Sequence, residues 1–196
     1  MERDKYHHGN LKQALIKESL NQLYLVGVEK FSFRTIAKNL GVVSSAPYNH
    51  FVNKEELFKE LISIGTKSLM QKMHEEKIKN QAPSEKLAGL AKSYLKFSLE
   101  EKELFLLMFS KNNLEIKKLI EVISSQFLDI VKEKFKDGKR MRITEDGASI
   151  TAWAMIHGLA MLVNESNLKS IEHNIGMNID EIFNQMSAIW GKGVSV

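Results

Sequence analysis

Cysteine is missing from the 196-residue chain, which excludes disulfides, thiol catalysis and zinc–thiolate sites and fits a reducing compartment such as the cytoplasm. Proline is nearly missing as well, with two residues. Together with apolar periods of about 3.6 residues, that scarcity predicts an all-α chain. Long hydrophobic runs are lacking too. The longest covers residues 152–163, is interrupted by His157 and Gly158, and falls short of the ~20 residues a membrane span needs. No membrane span is therefore expected. The opening MERDKYHHGN is polar and does not read as a signal peptide. No internal repeat, low-complexity tract, glycine-rich phosphate loop or acid/base constellation is present, so no catalytic residue, cofactor or metal is expected. His7 and His8 do not suggest a metal site, because neighbours on an extended arm point to opposite sides.

What the chain has is helix patterning and an uneven charge. The hydrophobic share of 43% is that of a globular protein. Of 28 basic and 24 acidic residues, eight and four respectively lie in positions 1–54, leaving twenty of each elsewhere. The whole formal excess of +4 thus sits on the N-terminal segment, as expected of a surface that meets phosphates.

Within that segment, residues 31–54 read FSFRTIAKNLGVVSSAPYNHFVNK. Ser32 is placed to cap a helix through the backbone of Thr35, with Phe31 stapled to Ile36. Phe33, Ile36, Ala37 and Leu40 share one face, and Gly41 stands where the helix must reverse. A second helix is expected from Ser44, with Pro47 among the amides that lack an intrahelical partner. Tyr48 and Phe51 complete its buried side. Ser44, Ser45, Ala46, Asn49 and His50 are left facing outward. Small side chains there allow close approach, the shape required of a helix-turn-helix whose second helix enters the major groove. For Arg34 the residues allow a solvated charge or a phosphate or base contact. For His50 they allow a structural role or a DNA contact.

These residues resemble the DNA-binding domain of TetR-family transcription regulators, over about residues 6–61. The likeness is carried by Tyr6-His7-His8-Gly9-Asn10-Leu11, Gly27, Ile36-Ala37, Gly41-Val42, Ala46-Pro47-Tyr48-Asn49-His50-Phe51 and Lys54-Glu55-Glu56-Leu57. Val43 departs from it, since the family usually has serine there as the cap, and Ser44 is expected to take that role. The resemblance implies an all-α fold of about nine helices. A three-helix DNA-binding domain would occupy residues 1–53 and a ligand-binding and dimerisation domain residues 54–196. It implies DNA contacts from Arg34, Thr35, Ser44, Ser45, Ala46, Pro47, Tyr48, Asn49, His50 and Lys54, with the Tyr48 hydroxyl and the Lys54 ammonium on phosphates. Lys54 also sits in the first turn of the following helix, where a cation opposes the helix dipole and calls for another partner.

The order of helices follows from stripes and caps. The first is expected over residues 11–26, with Ile16, Ser19, Leu20 and Leu23 inward and Gly27 as its stop. The fourth begins at Asn53 with a capping box to Glu56 and a staple from Val52 to Leu57. The fifth is capped by Ser84, with the stripe Leu87, Leu90, Ala91, Tyr94, Leu95 and Ser98. The sixth covers 104–109. The seventh covers 114–137, with Leu119, Ile120, Ile123, Phe127, Ile130 and Val131 inward and Gly138 as its stop. The eighth, residues 145–167, is expected to be capped by Thr144 and is apolar on nearly every side from Ala148 to Val163. A chain of this size has little interior in which to cover such a helix, so a second subunit is expected over it. The ninth starts from Asn178 with a capping box to Glu181. The eighth and ninth helices of two copies would form a four-helix bundle, making the protein a homodimer. Trp153 with His157-Gly158 also resembles a tryptophan–histidine–glycine signature of one TetR subgroup.

Tyr94, Phe97, Phe105, Met108, Phe109, Trp153, His157 and Met161, together with Met155, are candidates for an apolar ligand pocket. Each can equally be plain core, and His157 can orient a ligand or be satisfied within the fold. The expectation is a cytoplasmic repressor of a double-stranded palindromic operator, released by an unidentified small effector. The alternative is a regulator, constitutive or controlled by a protein partner, without such an effector.

Overall fold

The computed structural model describes residues 11–111, 113–136, 142–166 and 168–195. Arg3, Lys5, the Tyr6–Asn10 part of the resemblance, Asn112 and the Gly138 stop lie outside them. Among the described residues there are nine α-helices, one short 3-10 helix and no strand, so the chain is all-α. The α-helices are α1 Leu11–Val26, α2 Phe33–Asn39, α3 Lys54–Lys79, α4 Pro83–Glu100, α5 Lys102–Met108, α6 Ile116–Lys134, α7 Glu145–Ser166, α8 Leu168–Ile175 and α9 Ile179–Val194. The 3-10 helix, Ala46–Asn49, lies between α2 and α3.

The chain forms two compact units. The first holds residues 1–67 and 102–114, the second residues 68–101 and 115–196. The division does not run along the boundary at 53/54. The beginning of α3 and the whole of α5 cluster with the N-terminal helices, and α3 runs unbroken from one unit into the other.

In the first unit α1 packs on α2 and α5. Leu15, Leu23, Phe31, Ile36, Phe51, Leu57 and Leu61 are fully buried. The Phe31 and Phe58 rings meet edge to face at 5.0 Å. Gly27 and Gly41 end the first two helices at φ of 68° and 66°, a backbone region that L side chains rarely adopt. α3 and α5 approach so closely that a Cβ on Gly65 would lie 2.6 Å from the Met108 sulfur.

In the second unit α4, α6 and α7 pack on one another. Leu90, Tyr94, Phe97, Ile123, Phe127, Ile130 and Ala160 fill the interior. Thr144 Oγ1 accepts from Gly147 N at 3.1 Å and caps α7. α9 has the expected capping box, with Glu181 N donating to Asn178 Oδ1 at 3.0 Å and Asn178 N to Glu181 Oε2 at 2.8 Å. The Trp190 indole N–H ties α9 to the Ala148 carbonyl of α7 at 3.0 Å. Residues 145–165 within α7 form the one stretch among those described that is long and apolar enough to cross a bilayer. Its face of Ala148, Ile156, Leu159, Ala160 and Val163 is buried, as in a core helix.

Several local expectations are corrected. Ser32 occupies the N-cap position of α2 but makes no side-chain cap. Its own N–H is held instead by the Gln22 side chain at 2.8 Å. Asn53 Oδ1 does cap Glu56 N at 2.9 Å, but the Glu56 carboxylate returns to Val52 N, and Val52 is 80% exposed rather than stapled to Leu57. Pro83 starts α4, so Ser84 falls inside the helix, where its Oγ accepts from Lys134 Nζ at 3.0 Å. α6 is shorter than expected and its Ile120 is exposed. α8, a short helix, has no counterpart among the expected elements.

Candidate nucleic-acid interface

The turn from α2 into the 3-10 helix sets the surface. Gly41 reverses the chain, and Val42 N donates back to Ala37 O at 3.0 Å. Tight bonds then follow: Ala46 N to Val43 O at 2.9 Å, Tyr48 N to Ser45 O at 3.0 Å and His50 N to Pro47 O at 3.0 Å. These are three-residue turns, so the stretch expected to be an α-helix from Ser44 is a 3-10 helix starting at Ala46, with Ser45 at its N-cap position. Pro47 has no N–H to extend an α-helical ladder at that point. Neither serine provides the expected cap, since the N-cap residue is Ser45 and makes no side-chain capping bond.

The tighter winding changes which side chains face out. Ala46, expected outside, is 5% exposed, and Pro47 is buried beside it. Tyr48, expected on the buried side, is 59% exposed. Its ring rests edge-on against buried Phe33 at 5.1 Å, which fixes the direction of the hydroxyl. Ser44, Ser45 and Asn49 are exposed, and His50 is half-buried. Arg34 and Thr35, at the start of α2, are exposed as well. Beneath this surface Phe51 is buried, with Lys12 Nζ 5.4 Å from its ring centre.

The Lys54 ammonium donates to the Phe31 carbonyl at 2.6 Å. A partner inside the protein therefore accounts for the cation in the first turn of α3. Two of its three N–H groups are not used by that bond. Val43 was missed as a surface residue. It is 71% exposed beside Ser44 and Ser45, and an apolar side chain there suits the methyl group of thymine. Its signal in the sequence was an apolar residue where the family has a serine.

The eight pocket candidates divide between the units. Phe105, Met108 and Phe109 belong to the first, whereas Tyr94, Phe97, Trp153, His157 and Met161 belong to the second. In the second unit the Tyr94 hydroxyl oxygen lies 2.8 Å from His157 Nδ1, and the Trp153 and His157 rings are 5.6 Å apart. Burial pushes the Tyr94 phenol well above its usual pKa. The Trp153 indole N–H lies near enough to offset part of that rise, yet it completes no hydrogen bond of good geometry. Burial also lowers the pKa of His157, so the fold favours the neutral ring. This contribution to stability is complete above the unfolded value of about 6.5 and is lost as pH falls below it towards the folded value. Urea unfolding between about pH 8 and pH 5 should show stability falling on the acid side, with a shallower fall in His157→Gln. An unchanged slope in the variant would assign the acid sensitivity to other groups.

A cavity of about 180 Å³ lies elsewhere in the same unit, between α4, α6, α7 and α9. None of the eight candidates lines it, although Met155 does. Its walls include Phe127, Phe183, Trp190 and Met186, with Lys134 at one side.

Residues 15–61 match the family model described as bacterial regulatory proteins, tetR family. No curated protein sequence matches the chain. Among solved structures, a protein of unknown function from Rhodococcus sp. RHA1 is 24% identical, with a TM-score of 0.81 over 99% of this chain and 100% of its own. The TetR family transcriptional regulator PfmR from Thermus thermophilus is 18% identical, with a TM-score of 0.67 over 91% and 97%. NalD of Pseudomonas aeruginosa, the secondary repressor of the MexAB-OprM multidrug efflux pump, is 17% identical, with a TM-score of 0.63 over 95% and 98%. At these identities the structures share the fold. The match over residues 15–61 likens that segment to bacterial regulatory proteins of the tetR family.

Proposed function

We propose that this chain is a cytoplasmic, homodimeric transcription repressor that leaves a palindromic operator when a small, largely apolar ligand binds the C-terminal unit. The observation that carries the reading is the exposed row Ser44, Ser45, Tyr48 and Asn49, held on a 3-10 segment whose Ala46 and Pro47 are anchored in the core. Short polar side chains on a fixed backbone can reach base edges, while the Tyr48 hydroxyl and the cations Arg34 and Lys54 suit phosphates. His50 is half-buried at the end of the segment.

Dimerisation is supported by the open side of α7. Ile150, Ala154, Gly158 and Leu162, spaced four residues apart, are exposed, and nothing lies within 4 Å of a Cβ built on Gly158. Ile189 of α9 is 64% exposed. An apolar side with a glycine at its middle suits close packing against a second copy, through α7 and α9. Two reading segments about 34 Å apart would then enter successive major grooves. A ligand that favours a different spacing would release DNA in proportion to its preference for that shape.

Sequencing of genomic fragments retained by the purified protein, followed by titration of variants, tests the reading. Tyr48→Phe should weaken all retained sequences alike, because a phosphate contact positions the protein without reading bases. Ser45→Ala and Asn49→Ala should alter the preferred sequence. Unchanged preference in both, or no retained DNA at low salt, would overturn the assignment.

A further inference from the structure

We infer that the cavity between α4, α6, α7 and α9 is a binding site for a compact, uncharged aromatic molecule of one ring. This rests on the proposal that the C-terminal unit takes a small ligand, and it names where that ligand sits and what chemistry it has. The space follows from residue size. Ala88 and Ala91 of α4, Ala152 of α7 and Gly191 of α9 bring little or no side chain to the wall. Elsewhere in protein interiors, voids larger than a water molecule are few.

The larger wall residues select a ring. Phe127 from α6, with Phe183 and Trp190 from α9, are buried and supply aromatic surface on two sides. A ligand ring can meet them edge to face or offset, the arrangements that aromatic pairs favour. Met155 of α7 and Met186 of α9 are unbranched thioethers, which adapt to the edge of such a ring. Ser84 and Ser187 also line the cavity and are exposed, so it can be reached from the surface.

The wall is ill suited to a charge of either sign. Among the described residues no carboxylate lines the cavity, so an ammonium ligand would lose water without gaining a partner. The cation on the wall, Lys134, is engaged within the protein. It donates to Ser84 Oγ at 3.0 Å and lies 5.4 Å from the Trp190 ring centre. A ligand carboxylate would have to compete with those partners and be desolvated as well. The Trp190 N–H is committed to the Ala148 carbonyl at 3.0 Å, so this residue offers the cavity a ring face and no donor. A neutral ring gives up little on leaving water and gains the apolar contact.

Size limits the rest. A dry cavity of about 150 Å³ is known to accept benzene, and this one measures about 180 Å³. One ring with a short substituent fills it, whereas a long acyl chain does not fit.

Isothermal titration of the full-length protein at neutral pH with toluene, benzylamine and benzoate tests the chemistry. The three share one ring and one attached carbon and differ in charge. Toluene should bind, and each ion should bind at least about tenfold more weakly. Methyl NMR of the methionines in the same protein tests the place. Toluene should shift the Met155 and Met186 methyl signals through its ring current, while Met73 and Met108, buried but not on this wall, stay put. No binding of toluene, an ion that binds as tightly as toluene, or shifts that spare Met155 and Met186 would overturn the inference. Operator release is read separately by fluorescence anisotropy. Toluene held in the cavity without release of DNA would support the site and count against the effector reading of the preceding section. Release of DNA by toluene with Met155 and Met186 unmoved would do the opposite.

Discussion

Leu162→Arg is expected to turn the protein into a monomer and to lower its affinity for a palindromic operator by about 10² to 10⁴-fold. Leu162 is 57% exposed on α7, in line with Ile150, Ala154 and Gly158. In the proposed dimer it is buried against the second copy. A guanidinium placed there would be stripped of water without a carboxylate facing it, and an unpaired buried charge outweighs the gain from the surrounding apolar contacts. In the isolated chain the same side chain stays in solvent, so the fold should not suffer. The loss of DNA affinity follows from linkage. Two joined heads bind the second half-site as an intramolecular step, and separated heads lose that advantage. Sedimentation velocity gives the mass and circular dichroism the helix content, with anisotropy on a full operator and on a half-site giving the affinities. A dimer that survives the substitution with full affinity would move the interface away from α7.

Phe51→Ala is expected to destabilise the N-terminal unit by about 3–5 kcal/mol. Phe51 is 1% exposed. Its N–H donates to the Pro47 carbonyl at 2.9 Å, so the residue both fills the core and closes the 3-10 segment. Domain stabilities of about 5–15 kcal/mol leave little margin after such a loss. DNA binding should fail because the reading surface loses its support. Tyr48→Phe gives the contrast, since it keeps the ring contact with Phe33 and removes an exposed hydroxyl, which changes stability by no more than about 0.5 kcal/mol. Hydrogen exchange at the amides of the first unit, together with urea unfolding, separates the two cases. Native protection throughout α1 and α2 in Phe51→Ala would show that the segment is held by other contacts.

The end of α1 was legible, because Ile16, Ser19 and Leu23 repeat at helical spacing and Gly27 follows at once. The stop at Gly41 was legible for the same kind of reason. The stretch after Gly41 was expected as an α-helix from Ser44 and is a 3-10 helix from Ala46. A wheel drawn at 100° per residue turns Ala46 outward and Tyr48 inward, whereas the 3-10 turns around Pro47 do the reverse. Partners distant in sequence were not legible at all. Gln22 takes the Ser32 amide and the Phe31 carbonyl takes the Lys54 ammonium, and both depend on how α1, α2 and α3 pack. The cavity is of the same kind. Its wall is assembled from four helices, so a search for aromatic clusters along the chain found Met155 and passed over Trp190, Phe183 and Lys134.

The membership of α5 in the first unit bears on how the protein is made. The N-terminal helices leave the ribosome well before their last structural neighbour, residues 102–114, has been translated. Until then α1 lacks α5, one of the helices it packs on, and the fully buried Phe105, Leu107 and Met108 of that helix have yet to arrive. A nascent chain stalled between residues 62 and 101 holds the whole of the segment that the family model matches, without the helix that α1 packs on. Completion of the first unit thereby follows synthesis of α4.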